Sequence, residues 1–229
     1  HRVEPPRIRR DEREVAARFE ETWVISEAER GAVVDGLAEE AAARVQVVRN
    51  GVEPDRYRPY RATATGTTVA FTGHLGVFHN VDAAERLARG ILPRVREQVP
   101  GARLDLIGAE PAPRVRALAT EPGVRLVGPV IDLNAALNEA AIFAAPLRFA
   151  AGVQNKVLEA MAAGLPVVTT AEVNAGLGAT DGEHLQLAGD DDDFAAAIVA
   201  LLRDPAARGQ LGRVGRDFVL RRYRWDEVL

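Results

Sequence analysis

A Rossmann-like α/β fold, built on a doubly wound parallel sheet, is what the sequence predicts for most of this 229-residue chain. Three observations carry that prediction. From residue 67 onward, short runs of strand length alternate with longer amphipathic stretches of helical period. Runs such as TTVAFT, RLDLI and IFAA are apolar enough to suit strands covered by helices on both faces. A polar stretch with Asn-Gly, two prolines and several threonines (50–66) separates this region from a shorter strand–helix segment before it.

Taken in order, residues 7–20 read as a charged amphipathic helix and 22–25 as a short strand. Ser26 then suits the N-cap of a helix over 27–38, with Glu29 at the spacing of a capping box. A second strand is expected over 44–48. This opening segment is too short to be a domain by itself. Residues 50–66 read as a turn followed by a linker, which divides the chain into 1–49, a hinge at 50–66 and a main domain over 67–229. In the main domain, strands are expected over 67–72, 103–107, 124–127, 142–145 and 166–169. Helices are expected near 80–98, 112–119, 132–140, 153–163, 190–203 and 205–222. The acid run Asp190–Asp193 suits a helix start, where the dipole favours negative charge. In a sheet of this kind ligands bind beyond the carboxyl ends of the strands, so the loops after each strand are where chemistry is sought.

Composition narrows the function. A formal charge of −4 argues against a general nucleic-acid coat or a polybasic membrane anchor, so nucleic acid is not an expected partner. With no cysteine, disulfides and thiol-based metal or redox sites are excluded. Four histidines in no ligating pattern point to no metal and no cofactor. Neither a membrane span nor a signal-peptide pattern is legible, which points to a cytoplasmic location, with peripheral attachment at the inner membrane face left open. The chain opens at His1 with no initiator methionine and reads as a fragment. Of 29 basic residues, 28 are arginine, and the single lysine is Lys156. A position that keeps lysine against such a bias either needs a compact point charge or retains it by chance.

Two loops stand out. The first, Gly73-His74-Leu75-Gly76, follows the first strand of the main domain; its glycines allow close approach of backbone to a phosphate, or simply a tight turn. The second runs from Pro146 through Arg148 and Gly152-Val153-Gln154-Asn155 into a helix carrying Lys156 and Glu159. Val157, Leu158, Met161 and Ala162 form its apolar stripe. Lys156 and Glu159 share another face at i,i+3, where a surface ion pair would contribute only about 0.3–0.5 kcal/mol. Lysine before glutamate is the poorer order, and a cation in the first turn opposes the helix dipole. An anion bound there offsets both costs. First-turn amides, Lys156 and Arg148 would converge on a diphosphate, and Glu159 would accept from sugar hydroxyls.

The run Gly152-Val153-Gln154-Asn155-Lys156-Val157-Leu158-Glu159-Ala160-Met161-Ala162-Ala163-Gly164-Leu165-Pro166 resembles the donor-binding signature of glycosyltransferase family 4-like enzymes (group 1, GT-B). It is most similar to the branch of exopolysaccharide or PEP-CTERM-associated sugar transferases. Asn50-Gly51-Val52-Glu53, Phe71-Thr72-Gly73, Asn80-Val81-Asp82-Ala83, Asp105-Leu106-Ile107-Gly108, Gly128-Pro129-Val130 and Trp225 fall at matching intervals. The resemblance implies the C-terminal, donor-binding domain of a two-domain GT-B enzyme, preceded by a remnant of the acceptor-side domain. It implies transfer of a sugar from a nucleoside diphosphate donor, UDP in the first instance, with retention and without a bound metal. By position, Glu159 matches a ribose-contacting glutamate, Lys156 and the Gly73–Gly76 loop lie at the diphosphate, and Val130 lies near the base.

Two departures accompany the match. The E-x7-E pattern of the family would put a glutamate at Ala151, and basic residues common in the loop after the first strand are replaced at His74 and near Asn80. Lys156 is the candidate to stand in for them. The expected chain is therefore a transferase that binds donor but turns over weakly or not at all alone. The alternative is a non-catalytic nucleotide-sugar-binding subunit needing a separate acceptor-side partner. A homodimer, or a missing N-terminal domain, is expected to cover apolar surface of the opening segment.

Overall fold

The computed structural model describes residues 6–60, 66–150 and 152–228. Two compact units meet at the Asn50–Gly51 bond, and the second extends to Glu227.

The first unit contains helices Pro6–Arg18 (α1), Glu27–Val34 (α2) and Glu39–Ala42 (α3) with strands Thr22–Val24 (β1) and Val45–Val47 (β2). The two strands pair in parallel. Ser26 caps α2 by accepting from the Glu29 amide at 3.2 Å, as its spacing predicted. The reciprocal bond goes one residue further back, from the Ile25 amide to the Glu29 carboxylate. Val15, Phe19 and Trp23 are each more than half exposed.

The second unit is built on six parallel strands. They are Thr68–Thr72 (β3), Arg103–Ile107 (β4), Val124–Gly128 (β5), Ile142–Ala145 (β6), Val167–Thr169 (β7) and Gln186–Leu187 (β8), in the order β5-β4-β3-β6-β7-β8. The chain runs outward from β3 through β4 to β5, then returns to the other side of β3 for β6. The β3/β6 pair is the topological switch point, where the crossovers on either side part and leave a crevice. β3 and β6 are buried throughout, β6 as an unbroken apolar run and β3 as an apolar centre flanked by Thr68 and Thr72.

The crossover after β3 is one continuous helix, Phe78–Glu85 (α4), a π-helical stretch Arg86–Ile91 and Leu92–Gln98 (α5). Pro113–Ala117 (α6) and Leu133–Asn138 (α7) flank β5. Asn155–Ala162 (α8) joins β6 to β7 and packs against Pro205–Arg222 (α11). Asp191–Arg203 (α10) packs against α5 and the π-helical stretch. Its Asp190 cap and Asp193 form a reciprocal capping box, so the acid run is a helix start. A helix at Ala171–Leu177 (α9) and the two-residue β8 were not expected; both are too short to show a period. Trp225–Val228 (α12) closes the fold.

The stretch 50–66, expected as a turn and linker, is described in part. Residues 61–65 lie outside the described residues, but 51–60 are fastened onto the second unit as a strap. The Val52 amide donates to the Tyr223 carbonyl at 2.6 Å, and the Trp225 ring lies so close to Gly51 that an added Cβ would sit 2.7 Å from it. Val52 and Tyr57 are buried, at 2% and 4% exposure. The amides of Arg58 and Tyr60 donate to the side-chain oxygens of Asn134 and Asn138 on α7, while Arg216 on α11 donates to the Tyr57 carbonyl. Glycine and proline mark turns, yet here the turn residues sit between anchored side chains and do not release the chain. Among the described residues, no helix is long and apolar enough to cross a membrane.

Candidate functional site

At the carboxyl edge of the sheet the loops after β3, β4 and β5 are laced by backbone bonds. Gly73 donates to the Ile107 carbonyl at 3.1 Å, Leu75 to Ala109 at 2.9 Å and Gly108 to Gly128 at 2.8 Å. Gly108 is obligatory for this lacing, because a Cβ there would stand 1.7 Å from the Gly73 carbonyl oxygen. The α8 N-terminus approaches from the β6 side.

Together these elements enclose an open cleft of about 460 Å³. The loops contribute Gly73, His74, Gly108 and Ala109, and an apolar set of Ile107, Pro129, Val130, Ile131 and Leu133. The strap contributes Arg56, and α8 contributes Asn155, Lys156 and Glu159. One wall is thus apolar and the other carries charge.

Lys156 and Glu159 are not paired with one another; each is engaged elsewhere, so the surface ion-pair reading does not hold. The Lys156 ammonium donates to the Asn80 carboxamide oxygen and lies 5.1 Å from the centre of the Phe71 ring. Asn80, on α4 and almost wholly buried, donates in turn to the His74 carbonyl at 3.0 Å. The ammonium therefore leans back across the switch point to the loop after β3. Burial pulls its pKa from the usual lysine range down to about 8, against a smaller upward pull from the Glu159 charge. His79, also on α4, is pushed below the usual histidine value by burial and by the charge of Lys156.

Glu159 accepts a 2.9 Å hydrogen bond from the Tyr57 hydroxyl. Burial raises its pKa, while the Tyr57 bond and the charges of Arg56 and Lys156 pull it back. The Tyr57 hydroxyl is pushed above its ordinary range, first by burial and then by the Glu159 charge. Arg56 lies 5.5 Å from the Tyr57 ring centre.

Of the residues singled out from sequence, Gly73, His74, Val130, Asn155, Lys156 and Glu159 come together in this cleft. The others lie outside its lining. Arg148 is ion-paired with Asp82 at 2.8 Å and borders a separate polar recess with Arg86, Arg94 and Asp191. Gly76 sits in a tight turn, where a Cβ would meet the Glu110 carbonyl at 2.8 Å. Gly152 adopts a left-handed φ of 58° and its carbonyl packs against Gly176 of α9. Val153 is buried, and Gln154 occupies the N-cap of α8, whose first residue, Asn155, is two later than the expected helix start. Ala151 lies outside the described residues.

Sequence reasoning missed Arg56, Tyr57, Asn80's bond to Lys156 and the cleft-facing Ile131. Tyr57 left one legible signal, an aromatic residue within an otherwise polar stretch. The amides of Asn155 and Lys156, in the first turn of α8, have no acceptor within the helix. Amides, an ammonium and a guanidinium on one side, with apolar walls on the other, suit a ligand that joins an anion to a flat apolar group. Among the described residues no cluster of three or more His, Asp or Glu is placed to hold a metal ion.

Residues 66–204 match the family described as glycosyl transferases, group 1. The chain is 30% identical over 217 residues to the GDP-mannose-dependent alpha-(1-6)-phosphatidylinositol monomannoside mannosyltransferase of Mycobacterium tuberculosis, covering 82% of this chain and 54% of that protein. It spans about half the length of the curated relatives it matches. Among solved structures, Anabaena HepE in complex with UDP and glucose is similar with a TM-score of 0.75 at 16% identity, over 96% of this chain and 64% of that one. The C-terminal domain of the group 1 protein LpcC from Francisella tularensis matches with a TM-score of 0.61 at 18% identity, over 76% of this chain and 99% of that one. At these identities the two structural likenesses concern the fold.

Proposed function

This chain belongs to the group 1 glycosyl transferases, and on that premise we propose that its Gly51–Glu227 unit binds the nucleoside diphosphate-sugar donor of a sugar transfer. The observation that carries the proposal is the convergence, at the sheet's switch point, of the α8 first turn, Lys156 and Glu159 in one cleft with an apolar wall. In this reading the diphosphate lies on the Asn155 and Lys156 amides and the Lys156 ammonium. The ribose meets Glu159, and the base rests among Pro129, Val130 and Ile131. As an acceptor hydroxyl oxygen bonds to the anomeric carbon, the bond from that carbon to the diphosphate breaks, its electron pair leaves with the phosphate oxygen, and the hydroxyl proton passes to the departing diphosphate. Lys156 and the helix amides stabilise that charge without reorganising.

UDP is the proposed nucleotide, in keeping with the sugar-transferase resemblance and with the ligand in the Anabaena neighbour. The mycobacterial relative uses GDP-mannose, which makes GDP the competing base. Retention, independence of a metal and transfer to a polysaccharide, lipid or small-molecule acceptor belong to the same proposal. So does the assignment of residues 1–49 to an acceptor-side domain; the likeness of 76% of the chain to an isolated C-terminal domain supports it.

The test is calorimetric titration with UDP, GDP and ADP of the wild type, Lys156→Ala and Glu159→Ala. Selective binding of one nucleotide, weakened by both substitutions, is the expected result. Absence of binding to all three overturns the assignment.

A further inference from the structure

We propose that Tyr57, on the strap, is a positioning residue for ribose recognition: its hydroxyl engages one oxygen of Glu159 and leaves the other to accept the ribose diol of the donor. The proposal rests on the donor-cleft reading and adds to it a residue outside the loops and α8.

The strap holds Tyr57 from several directions. Its carbonyl accepts from Arg216 of α11 at 2.7 Å, and the next amide is held by Asn134 of α7 at 3.1 Å. Pro59 packs against Gly164, where a Cβ would stand 3.3 Å from the proline ring. With the backbone so fixed and the ring 4% exposed, the hydroxyl has one place to go, and it meets Glu159 Oε1 at 2.9 Å. Among the described residues, no hydrogen bond is made to Oε2 of that carboxylate, and Glu159 lines the cleft.

The chemistry then selects a ligand group. A half-buried carboxylate tends toward its neutral form; the Tyr57 bond and the charges of Arg56 and Lys156 oppose that tendency and favour an ionised acceptor. An ionised oxygen with two lone pairs takes hydroxyl donors, and a vicinal diol supplies two in the required proximity. Lys156 precedes Glu159 by three residues, about 4.5 Å along the helix axis. A group on the diphosphate side and a group on the sugar side of one nucleotide are offset by a comparable distance. Tyr57 thereby ties recognition of the ribose to the strap.

The experiment compares UDP and GDP with their 2′,3′-dideoxy counterparts by calorimetry on the full chain. Tyr57→Phe keeps the ring and its packing. It is expected to weaken the bound ribonucleotide about 5- to 10-fold, the loss of one charged hydrogen bond's orientation, while the dideoxy nucleotide changes by less than about twofold. Glu159→Gln, which retains an acceptor for Tyr57 but not the charge, is expected to erase the preference for ribose as well. Equal weakening of both nucleotides by Tyr57→Phe, or no weakening of either, overturns the positioning role. If Glu159→Gln leaves the ribose preference intact, the assignment of Glu159 itself fails, whatever Tyr57 does. If wild type binds neither nucleotide, the cleft reading and this proposal fall together.

Discussion

The ammonium of Lys156 donates to the carboxamide of Asn80, joining the first turn of α8 to the first turn of α4 across the switch point of the sheet. Asn80 is 4% exposed and also ties the loop after β3 through the His74 carbonyl. One buried amide side chain thus sets where the chain's single lysine stands. Asn80→Asp would turn this neutral acceptor into an anion beside the proposed diphosphate site. Nucleoside diphosphate affinity is expected to fall at least about tenfold, with the Lys156 pKa moving up, since an adjacent opposite charge favours the ammonium. Titration calorimetry, with NMR detection of the lysine side chain, reads both.

Lys156 also predicts a pH dependence of binding. Its pKa in the empty cleft is about 8, and a bound diphosphate favours the charged form and raises it. Affinity is therefore expected to be greatest below pH 8 and to decline above it, by at most about tenfold per pH unit until the bound-state pKa is reached. Lys156→Arg, which does not titrate in this range, should flatten the profile between pH 7 and 9.5. A wild-type profile that is already flat would falsify the assignment of the ammonium to the phosphates.

The same burial carries a stability cost. A lysine whose folded pKa lies below its unfolded value destabilises the fold when charged. The cost is fully present below pH 8 and vanishes as pH rises through the unfolded value of 10.5. Lys156→Met is expected to stabilise the empty protein at pH 7 by about 1–2 kcal/mol, less than the full pKa shift implies because Asn80 loses a partner. The gain should disappear near pH 10.5. Thermal unfolding at the two pH values, with the nucleotide titration alongside, separates the stability effect from the loss of binding.

Backbone crossing in the cleft floor gives a sharper test of packing. Gly108→Ala drives a Cβ into the Gly73 carbonyl and is expected to destabilise by about 3 kcal/mol or more. Gly128→Ala meets no atom within 4 Å, but its φ of 79° disfavours a side chain, for a cost of about 1 kcal/mol. Denaturant melts of the two variants should differ accordingly.

Arg148 provides the contrasting case. It pairs with Asp82, both side chains reach solvent, and neither lines the cleft. Arg148→Ala is expected to leave nucleotide affinity unchanged within about twofold and to cost less than about 1 kcal/mol of stability. A tenfold loss of affinity would return Arg148 to the diphosphate, as its place in the sequence suggested.

Where apolar period and turn chemistry agree, the sequence alone was sufficient. The five longer strands, the register of Val157, Leu158, Met161 and Ala162 against the sheet, and the acidic helix start at Asp190–Asp193 are local consequences of spacing and residue type. Lys156 was visible because it is a compositional exception, and Glu159 because it follows one turn later on the same helix face. What acts across the chain was not visible. Asn80 and Lys156 are 76 residues apart, Tyr57 and Glu159 are 102 apart, and no local pattern encodes either bond. Arg148 and the strap mark the same limit from the other side. A basic residue beside a candidate phosphate loop is held by Asp82 of α4, and a stretch with every mark of a linker is anchored by Asn134, Asn138, Arg216 and Trp225. Periodicity reports which face of an element is buried. Which polar groups then meet depends on how the crossovers return to the sheet, and that is decided only when the whole core packs.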